Sequence, residues 1–137
     1  MKDVAQFLKV LADESRLQIL WLLLNHEELC VCDLVEALGV SQSKVSRHLA
    51  TLRHTGLVTD RKDGAWSFYS LRPANNDIER AVLDALREKL AGHPGAVRVL
   101  QSLREWIKRM EGDPGGACGP RAAALKTAAN STRGDGK

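Results

Sequence analysis

The sequence contains few cysteines and no long apolar run. Only three cysteines occur in 137 residues. Two of them form a Cys-x-Cys pair, so the pattern excludes a disulfide framework and favours reduced thiols inside the cell. The longest apolar run, residues 19–24, has six residues, about a third of the ~18 that a membrane span needs. The first residues are amphipathic and partly acidic, unlike a secretory signal. We therefore expect a cytoplasmic protein with no membrane partner.

The charge is unevenly distributed along the chain. The formal net charge is only +3, so the total does not indicate nucleic acid. Residues 1–40 carry three basic and seven acidic side chains (net −4), whereas residues 41–71 carry five basic and two acidic ones (net +3). A basic segment in a nearly neutral protein is typical of a surface that faces phosphates, although a solvated face would give the same pattern.

Two short helices are expected at the start of the chain. Asp3 is predicted to cap the first helix and Asp13 the second. The second helix should end near residues 25–26. The residues predicted to face inward are Val4, Phe7, Leu8 and Leu11 in the first helix, and Leu17, Ile19, Leu20, Leu23 and Leu24 in the second.

A helix-turn-helix is predicted next. A third helix should start at about residues 29–30, and Gly39 fits the position after its end, where φ is positive. Ser41 is a suitable cap for a fourth helix that Gly56 ends. The few residues between the two helices match the spacing of a helix-turn-helix. The core-facing residues of the fourth helix should be Val45, Leu49 and Leu52.

A β-hairpin should follow the fourth helix directly. Residues 57–61 and 65–71 are β-prone, and residues 62–64 between them contain Asp-Gly, which favours a tight turn. A helix-turn-helix followed by a hairpin is a winged helix. A fifth helix is expected at residues 74–91 and a sixth at about 96–110. Together with the first helix they either form a dimer surface or complete the core of the monomer.

These elements predict a mainly α fold with a small β-hairpin. We expect a winged helix-turn-helix domain over residues 1–111 that binds DNA and dimerises through its terminal helices. Residues 112–137 hold six of the eleven glycines, an alanine cluster and no aromatic residue. This composition is typical of a flexible tail. Cys118 lies in this segment.

Four segments together resemble the ArsR/SmtB metalloregulatory repressors: LADESRLQIL, ELCVCDL, SQSKVSRHLATLRHTGLV and RKDGAWSFYSL. The likeness covers about residues 3–90. ELCVCDL is similar to the motif of the arsenic- and cadmium/lead-sensing branches. The resemblance implies a homodimer that binds a palindromic operator without a cofactor and releases it when an inducer binds. It implies repression of a resistance operon, and therefore a regulator rather than an enzyme.

The fourth helix is expected to enter the major groove of the operator. Gln can read adenine and Arg can read guanine in bidentate fashion, so Gln42, Ser43 and Arg47 are predicted to read bases. Ser and Lys more often hold phosphates. The full set of predicted DNA-contacting residues is Ser41, Gln42, Ser43, Lys44, Ser46, Arg47 and His48 in the helix, with Arg61 and Lys62 in the wing.

Cys30 and Cys32 are the candidate ligands for the inducer, trivalent arsenic or antimony. Such ions prefer three thiolates, since soft ligands select soft ions. On an ideal helix, residues i and i+2 point about 200° apart. Two cysteines at the start of the third helix should therefore be unable to share an ion unless the helix distorts. That distortion, beside the DNA-reading helix, is the predicted switch. Simple packing of buried cysteines is the alternative.

The third ligand is open. Some arsenic sensors of the family have a third cysteine at the position of Val35. Cys118, a water, a hydroxide or a glutathione thiol could complete the ligand set instead. Cadmium and lead sensors add cysteines near the N-terminus, where residues 1–29 have none. A redox sensor that forms a disulfide among Cys30, Cys32 and Cys118 is a further alternative, whereas no cofactor motif or partner histidine supports an enzyme.

Overall fold

The computed structural model of the chain describes residues 1–111, which form six helices and three short strands. The predicted tail, with Cys118, lies outside the described residues. The mainly α winged helix-turn-helix predicted from the sequence is confirmed. The elements are α1 (Lys2–Leu11), α2 (Glu14–Asn25), β1 (Leu29–Cys30), α3 (Val31–Leu38), α4 (Gln42–His54), β2 (Val58–Asp63), β3 (Trp66–Leu71), α5 (Asp77–Leu90) and α6 (Pro94–Glu111).

Local capping residues set the ends of α2, α3 and α4, as predicted. Asp13 Oδ1 accepts a hydrogen bond of 3.0 Å from the backbone N–H of Arg16. Ser41 Oγ accepts one of 3.2 Å from the backbone N–H of Lys44. Gly39 ends α3 with φ +70, a conformation that costs glycine little because it has no Cβ. The turn between α3 and α4 is therefore held by signals that are local in the sequence.

The first helix differs from the prediction at its start and on its inner face. α1 begins at Lys2, so Asp3 lies inside the first turn and does not cap the helix. A carboxylate there still faces the positive end of the helix dipole. Leu8 is 47% exposed, whereas Phe7 and Val10 are buried. The inner face of α1 is thus formed by Phe7 and Val10, which are three positions apart on the same side of the helix. Leu8 lies beside this face.

The wing is the hairpin of β2 and β3. The two strands pair antiparallel up to Asp63 and Trp66, so the turn between them has two residues. Gly64 takes φ +63 at the first of the two turn positions, where a type II′ hairpin turn favours glycine. β2 extends two residues further toward the turn than predicted, whereas β3 begins one residue later than predicted, because residue 65 belongs to the turn.

A short strand that was not predicted precedes α3. β1 pairs with β3, which is the central strand of the sheet order β1-β3-β2. This pairing holds Leu29 and Cys30 extended. The predicted start of the third helix at residues 29–30 is therefore wrong, and α3 begins at Val31.

α6 packs against α2 and α3 of its own chain. Leu103 and Ile107 are buried, and the Trp21 indole Nε1 donates a hydrogen bond of 2.8 Å to the carbonyl of Ala96 at the start of α6. The apolar face of α6 therefore completes the monomer core, which was one of the two predicted alternatives. Within residues 1–111, no helix combines the length and the apolar character of a membrane span. The exposed large apolar side chains in this part of the chain are Met1, Leu8, Ile78 and Val97.

Candidate thiol site and DNA-binding helix

The two cysteines of ELCVCDL meet where β1 joins α3. Cys30 is the N-cap residue of α3 and has an extended backbone, with φ −93 and ψ 170. Cys32 is the second residue inside the helix. Their Sγ atoms lie 2.9 Å apart. The expected separation around the helix is wrong, because only one of the two residues is helical.

This geometry removes the predicted need to unwind α3 before both sulfurs can share an ion. If thiolate bonds resemble the ~2.3 Å bonds to zinc, two sulfurs on one ion lie within about 4 Å of each other. Cys30 is buried and Cys32 is half-buried. A soft ion binds thiolates, so ligand binding by the pair is a property of the reduced protein.

A buried carboxylate fixes the start of α3. Asp33 is fully buried, and its Oδ2 accepts a hydrogen bond of 2.9 Å from the backbone N–H of Cys30. This bond is one half of a capping box. Oδ1 accepts a second bond of 2.9 Å from the indole Nε1 of Trp106. The carboxylate therefore ties the backbone of one cysteine to α6.

Asp33 also belongs to a group that could hold a metal ion. Its carboxylate oxygen and the sulfurs of Cys30 and Cys32 lie within 4.8 Å of one another. Carboxylate oxygens suit hard ions, whereas thiolates suit soft ones. Since both Asp33 oxygens already accept hydrogen bonds, we assign this residue to positioning the cysteines.

A cleft of about 430 Å³ opens beside the two sulfurs. It lies between α3, the turn of the wing and the first residue of α4. Val35, at the position where the resemblance implies a third cysteine in some arsenic sensors, contributes to its wall. The side chains that line the cleft besides the cysteines are Val31, Val35, Gln42, Ala65, Trp66 and Ser67.

Aromatic side chains surround the sulfurs on the protein side. Phe68 of β3 is buried and packs against Cys30, and the half-buried Trp66 and Trp106 complete this small cluster with Cys32. The sequence did not predict these neighbours. Trp106 lies 73 positions after Asp33, and no local pattern connects residues so far apart.

α4 presents an exposed polar face opposite its core-facing residues. Val45, Leu49 and Leu52 are buried, which confirms the predicted inner face. The predicted DNA-contacting residues that are exposed on this helix and its cap are Ser41, Gln42, Ser43, Lys44, Ser46 and Arg47.

His48 is the exception on α4. Its ring is half-buried, with Nδ1 3.4 Å from the guanidinium of Arg16 and Nε2 4.0 Å from Asp13. The pKa of Asp13 is lowered, chiefly because its carboxylate accepts the backbone hydrogen bond from Arg16, and the nearby positive charge of Arg16 adds to the effect. Since His48 is turned toward the start of α2, we leave it out of the set of DNA-contacting residues.

The two predicted cations of the wing are exposed but have partners within the protein. Arg61 donates two hydrogen bonds to Glu28, at 2.8 and 2.9 Å, and its guanidinium lies 4.7 Å from the ring centre of Phe68. The hydrogen bond with Glu28 raises the pKa of Arg61. Lys62 Nζ donates a bond of 3.0 Å to Ser67 Oγ. A DNA phosphate would have to compete with Glu28 for Arg61.

Comparison with known proteins places these features in a family. The chain matches the family described as "Bacterial regulatory protein, arsR family" over residues 13–60. The arsenical resistance operon repressor of Escherichia coli (strain K12) is 59% identical over 68 residues, which cover 50% of this chain and 58% of that protein. The arsenic resistance transcriptional regulator ArsR1 of Pseudomonas putida is 41% identical over 97 residues, which cover 68% of this chain and 74% of that protein. The chain thus spans little more than half the length of the E. coli repressor.

A solved structure has a similar fold. HlyU from Vibrio cholerae N16961 superposes with a TM-score of 0.55 at 41% identity, covering 62% of this chain and 88% of that chain. The similarity to ArsR1 extends over most of that protein and is high enough to establish the family. The predicted class, a transcription regulator and not an enzyme, is confirmed with it. The chain belongs to the ArsR family of bacterial regulatory proteins.

Proposed function

We propose that this protein represses an arsenic-resistance operon and releases its operator when trivalent arsenic or antimony binds Cys30 and Cys32. The observation that carries this proposal is the 2.9 Å distance between the two sulfurs, in a cleft that also reaches the first residue of α4. Two close thiolates are the ligands that a soft, thiophilic ion selects. The names of the E. coli and P. putida relatives support the same inducer.

The exposed face of α4 enters the major groove. Gln42, Ser43 and Arg47 read bases, and the remaining polar residues hold phosphates, as these side-chain types commonly do. Binding requires no cofactor and weakens with salt, because each phosphate contact releases counterions. The phosphate-holding residues are Ser41, Lys44 and Ser46 in the helix, with Lys62 and, once it exchanges Glu28 for DNA, Arg61 in the wing.

The protein acts in the cytoplasm as a homodimer on a palindromic operator. Leu8 on α1 and Ile78 on α5 are 47% and 49% exposed, on two helices that contact each other. Apolar side chains that stay exposed in the monomer are suited to pairing with a second copy of the chain. The pairing would set the two copies of α4 about 34–36 Å apart, which is one turn of the duplex.

Release of DNA requires that the inducer prefer an arrangement other than the DNA-bound one. The thiol pair is well placed for this, because α3 packs against α4 and the wing forms the opposite wall of the cleft. An inducer between these elements changes their relative positions. Cys118 and non-protein oxygen or sulfur ligands are the candidates for the third position around the ion.

Operator binding measured by fluorescence anisotropy tests the proposal. The probe is DNA from upstream of the protein's own operon, titrated under reducing conditions with arsenite, antimonite, cadmium, lead and zinc. We expect release by arsenite and antimonite that is lost in Cys30→Ser and Cys32→Ser. Cys118→Ser tests whether that cysteine supplies the third ligand, since its arsenite response should weaken only if it does. Release by cadmium or lead alone would assign the chain to a cadmium- or lead-responsive repressor.

A thiol-redox-sensing repressor is the second candidate function. The 2.9 Å distance between the sulfurs of Cys30 and Cys32 favours it, since thiol–disulfide exchange is a reversible switch. This function predicts that peroxide, without any metalloid, releases the operator and that a reductant restores binding. Release by arsenite in fully reduced protein, with no effect of peroxide, would eliminate it.

A further inference from the structure

We propose that Gln42 is shared between the two sites of this regulator: its amide contacts operator DNA in the repressing state and hydrogen-bonds the bound inducer in the released state. The inference rests on the proposed function. It assigns the third position around arsenic to a hydroxide that faces this residue. The thiol site and the DNA-binding helix α4 would then be coupled through one side chain.

The position of Gln42 places it at both sites. It is the first residue of α4, directly after the cap residue Ser41, and its side chain is exposed on the predicted DNA face. It also lines the cleft that contains Cys30 and Cys32. A glutamine amide can donate two hydrogen bonds and accept two, so it suits either a base edge or a hydroxide.

The rest of the cleft offers few alternatives for holding a polar group. Val31, Val35 and Ala65 are apolar. Trp66 offers one indole N–H, and the Ser67 hydroxyl, which accepts from Lys62, can still donate one hydrogen bond, so Gln42 is the lining residue that can both donate and accept several. Because position 35 is a valine, α3 contributes no further thiol to this wall of the cleft. The third position around the ion therefore falls to a ligand from outside α3.

The chemistry of arsenite leaves a hydroxide in that position. When arsenous acid reacts with two thiols, two As–S bonds form and two As–OH bonds break. Each departing hydroxyl takes a thiol proton and leaves as water, so one As–OH group remains. A hydroxyl in a partly closed cleft is stabilised by a hydrogen-bond partner, and Gln42 is the amide within the cleft.

The same amide cannot lie on an adenine edge at the same time. A bidentate Gln–adenine pair contributes about five- to 150-fold in affinity. Withdrawal of Gln42 from the operator therefore weakens DNA binding by a sizeable factor, even if α4 does not move.

Arsenite affinity in the absence of DNA tests the inference. Trp66 and Trp106 flank the cysteines, so tryptophan fluorescence of the reduced protein can report binding. We expect Gln42→Ala to lose about three- to tenfold in arsenite affinity, the usual effect of one hydrogen bond. Gln101→Ala, the same change at an exposed glutamine of α6, should bind as the wild type does.

Phenylarsonous acid provides an internal control. Both of its hydroxyls leave as water when it binds two thiols, so no As–OH group remains for Gln42 to bond. Gln42→Ala should therefore bind this arsenical as tightly as the wild type. An unchanged affinity would also show that the variant folds with an intact thiol site.

The possible results separate this inference from the proposed function. Equal arsenite affinity in Gln42→Ala and wild type overturns the inference, and so does equal weakening toward both arsenicals. X-ray absorption that shows three sulfurs around arsenic also overturns it, whereas two sulfurs and one oxygen support it. If the wild-type protein binds no arsenite at all, it is the proposed function that fails.

Discussion

The indole of Trp106 donates a hydrogen bond of 2.9 Å to Asp33, whose other oxygen accepts the backbone N–H of Cys30. One fully buried carboxylate thus connects the last described helix to the residue that bears the first thiol. Burial of a charged group is costly unless it is hydrogen-bonded. These two donors are therefore a condition for the geometry of the thiol pair.

Trp106→Phe should destabilise the fold by about 1–3 kcal/mol, because a buried carboxylate oxygen loses its donor. Urea unfolding of the reduced protein measures the change. Trp66→Phe is the matched control, a substitution of the same size in the same aromatic cluster. Equal losses in the two variants would mean that packing alone, without the hydrogen bond, accounts for the effect.

Glu28→Gln should strengthen operator binding by roughly three- to tenfold at low salt. The carboxylate of Glu28 holds the guanidinium of Arg61, so its removal frees a cation for phosphate and removes a negative charge near the DNA. Anisotropy between 50 and 200 mM salt would show a slope steeper by about 0.9 per added phosphate contact.

Glu27→Gln makes the same charge change one residue earlier and controls for the Glu28 experiment. It should raise affinity less and leave the salt slope unchanged. Weaker DNA binding by Glu28→Gln would contradict the prediction and would mean that Glu28 holds Arg61 in the orientation that DNA requires.

Asp13→Ala should cost about 1 kcal/mol of stability, the usual loss when an N-cap is removed. The pKa of Asp13 is lowered below 3.8 in the folded state. The contribution of its charge is therefore complete above about pH 5 and is lost as pH falls through 3.8 toward the folded pKa. Urea unfolding between pH 3 and 7 measures both effects.

Asp13→Asn separates the cap from the charge, because asparagine caps helices as well as aspartate does. We expect a smaller loss at neutral pH and no contribution from this position to the pH dependence. A pH profile that stays the same as in the wild type would show that other carboxylates govern acid stability.

Arg47→Ala and Lys44→Ala should weaken DNA binding in different ways. Loss of a bidentate base contact at Arg47 should cost about 1–3 kcal/mol on operator DNA and relax specificity. Loss of a phosphate contact at Lys44 should weaken all sequences alike and lower the salt slope by about 0.9. Fluorescence anisotropy measures the affinity of both variants for operator and scrambled duplexes. A uniform loss in Arg47→Ala would assign that residue to phosphate.

The sequence predicted α4 and its turn well because the signals are local. Ser41 bonds to a backbone group three residues on, and Gly39 takes the positive φ that its position requires. The buried residues of α4 recur at the helical period. Each of these features depends on neighbours within one or two turns, which a single sequence displays directly.

The start of α3 could not be predicted from the same kind of signal. Cys30 is held extended by its pairing with Phe68 in a distant strand, and this pairing overrides the helical pattern of the residues that follow. The surroundings of His48 and Arg61 could not be predicted either, for a related reason. Their polar side chains are visible in the sequence, but the acidic partners Asp13 and Glu28 come from other elements.

Under the proposed function, the place of Val35 in the wall of the cleft would make this regulator adaptable as a biosensor. Val35→Cys would offer a third thiol from α3 while leaving the exposed face of α4 intact. A reporter strain carrying the variant would then respond to arsenite at a lower threshold. The natural two-thiol form would remain the better detector for arsenicals that already carry one carbon substituent. A single position in one helix would thus set which arsenic species a cell reports.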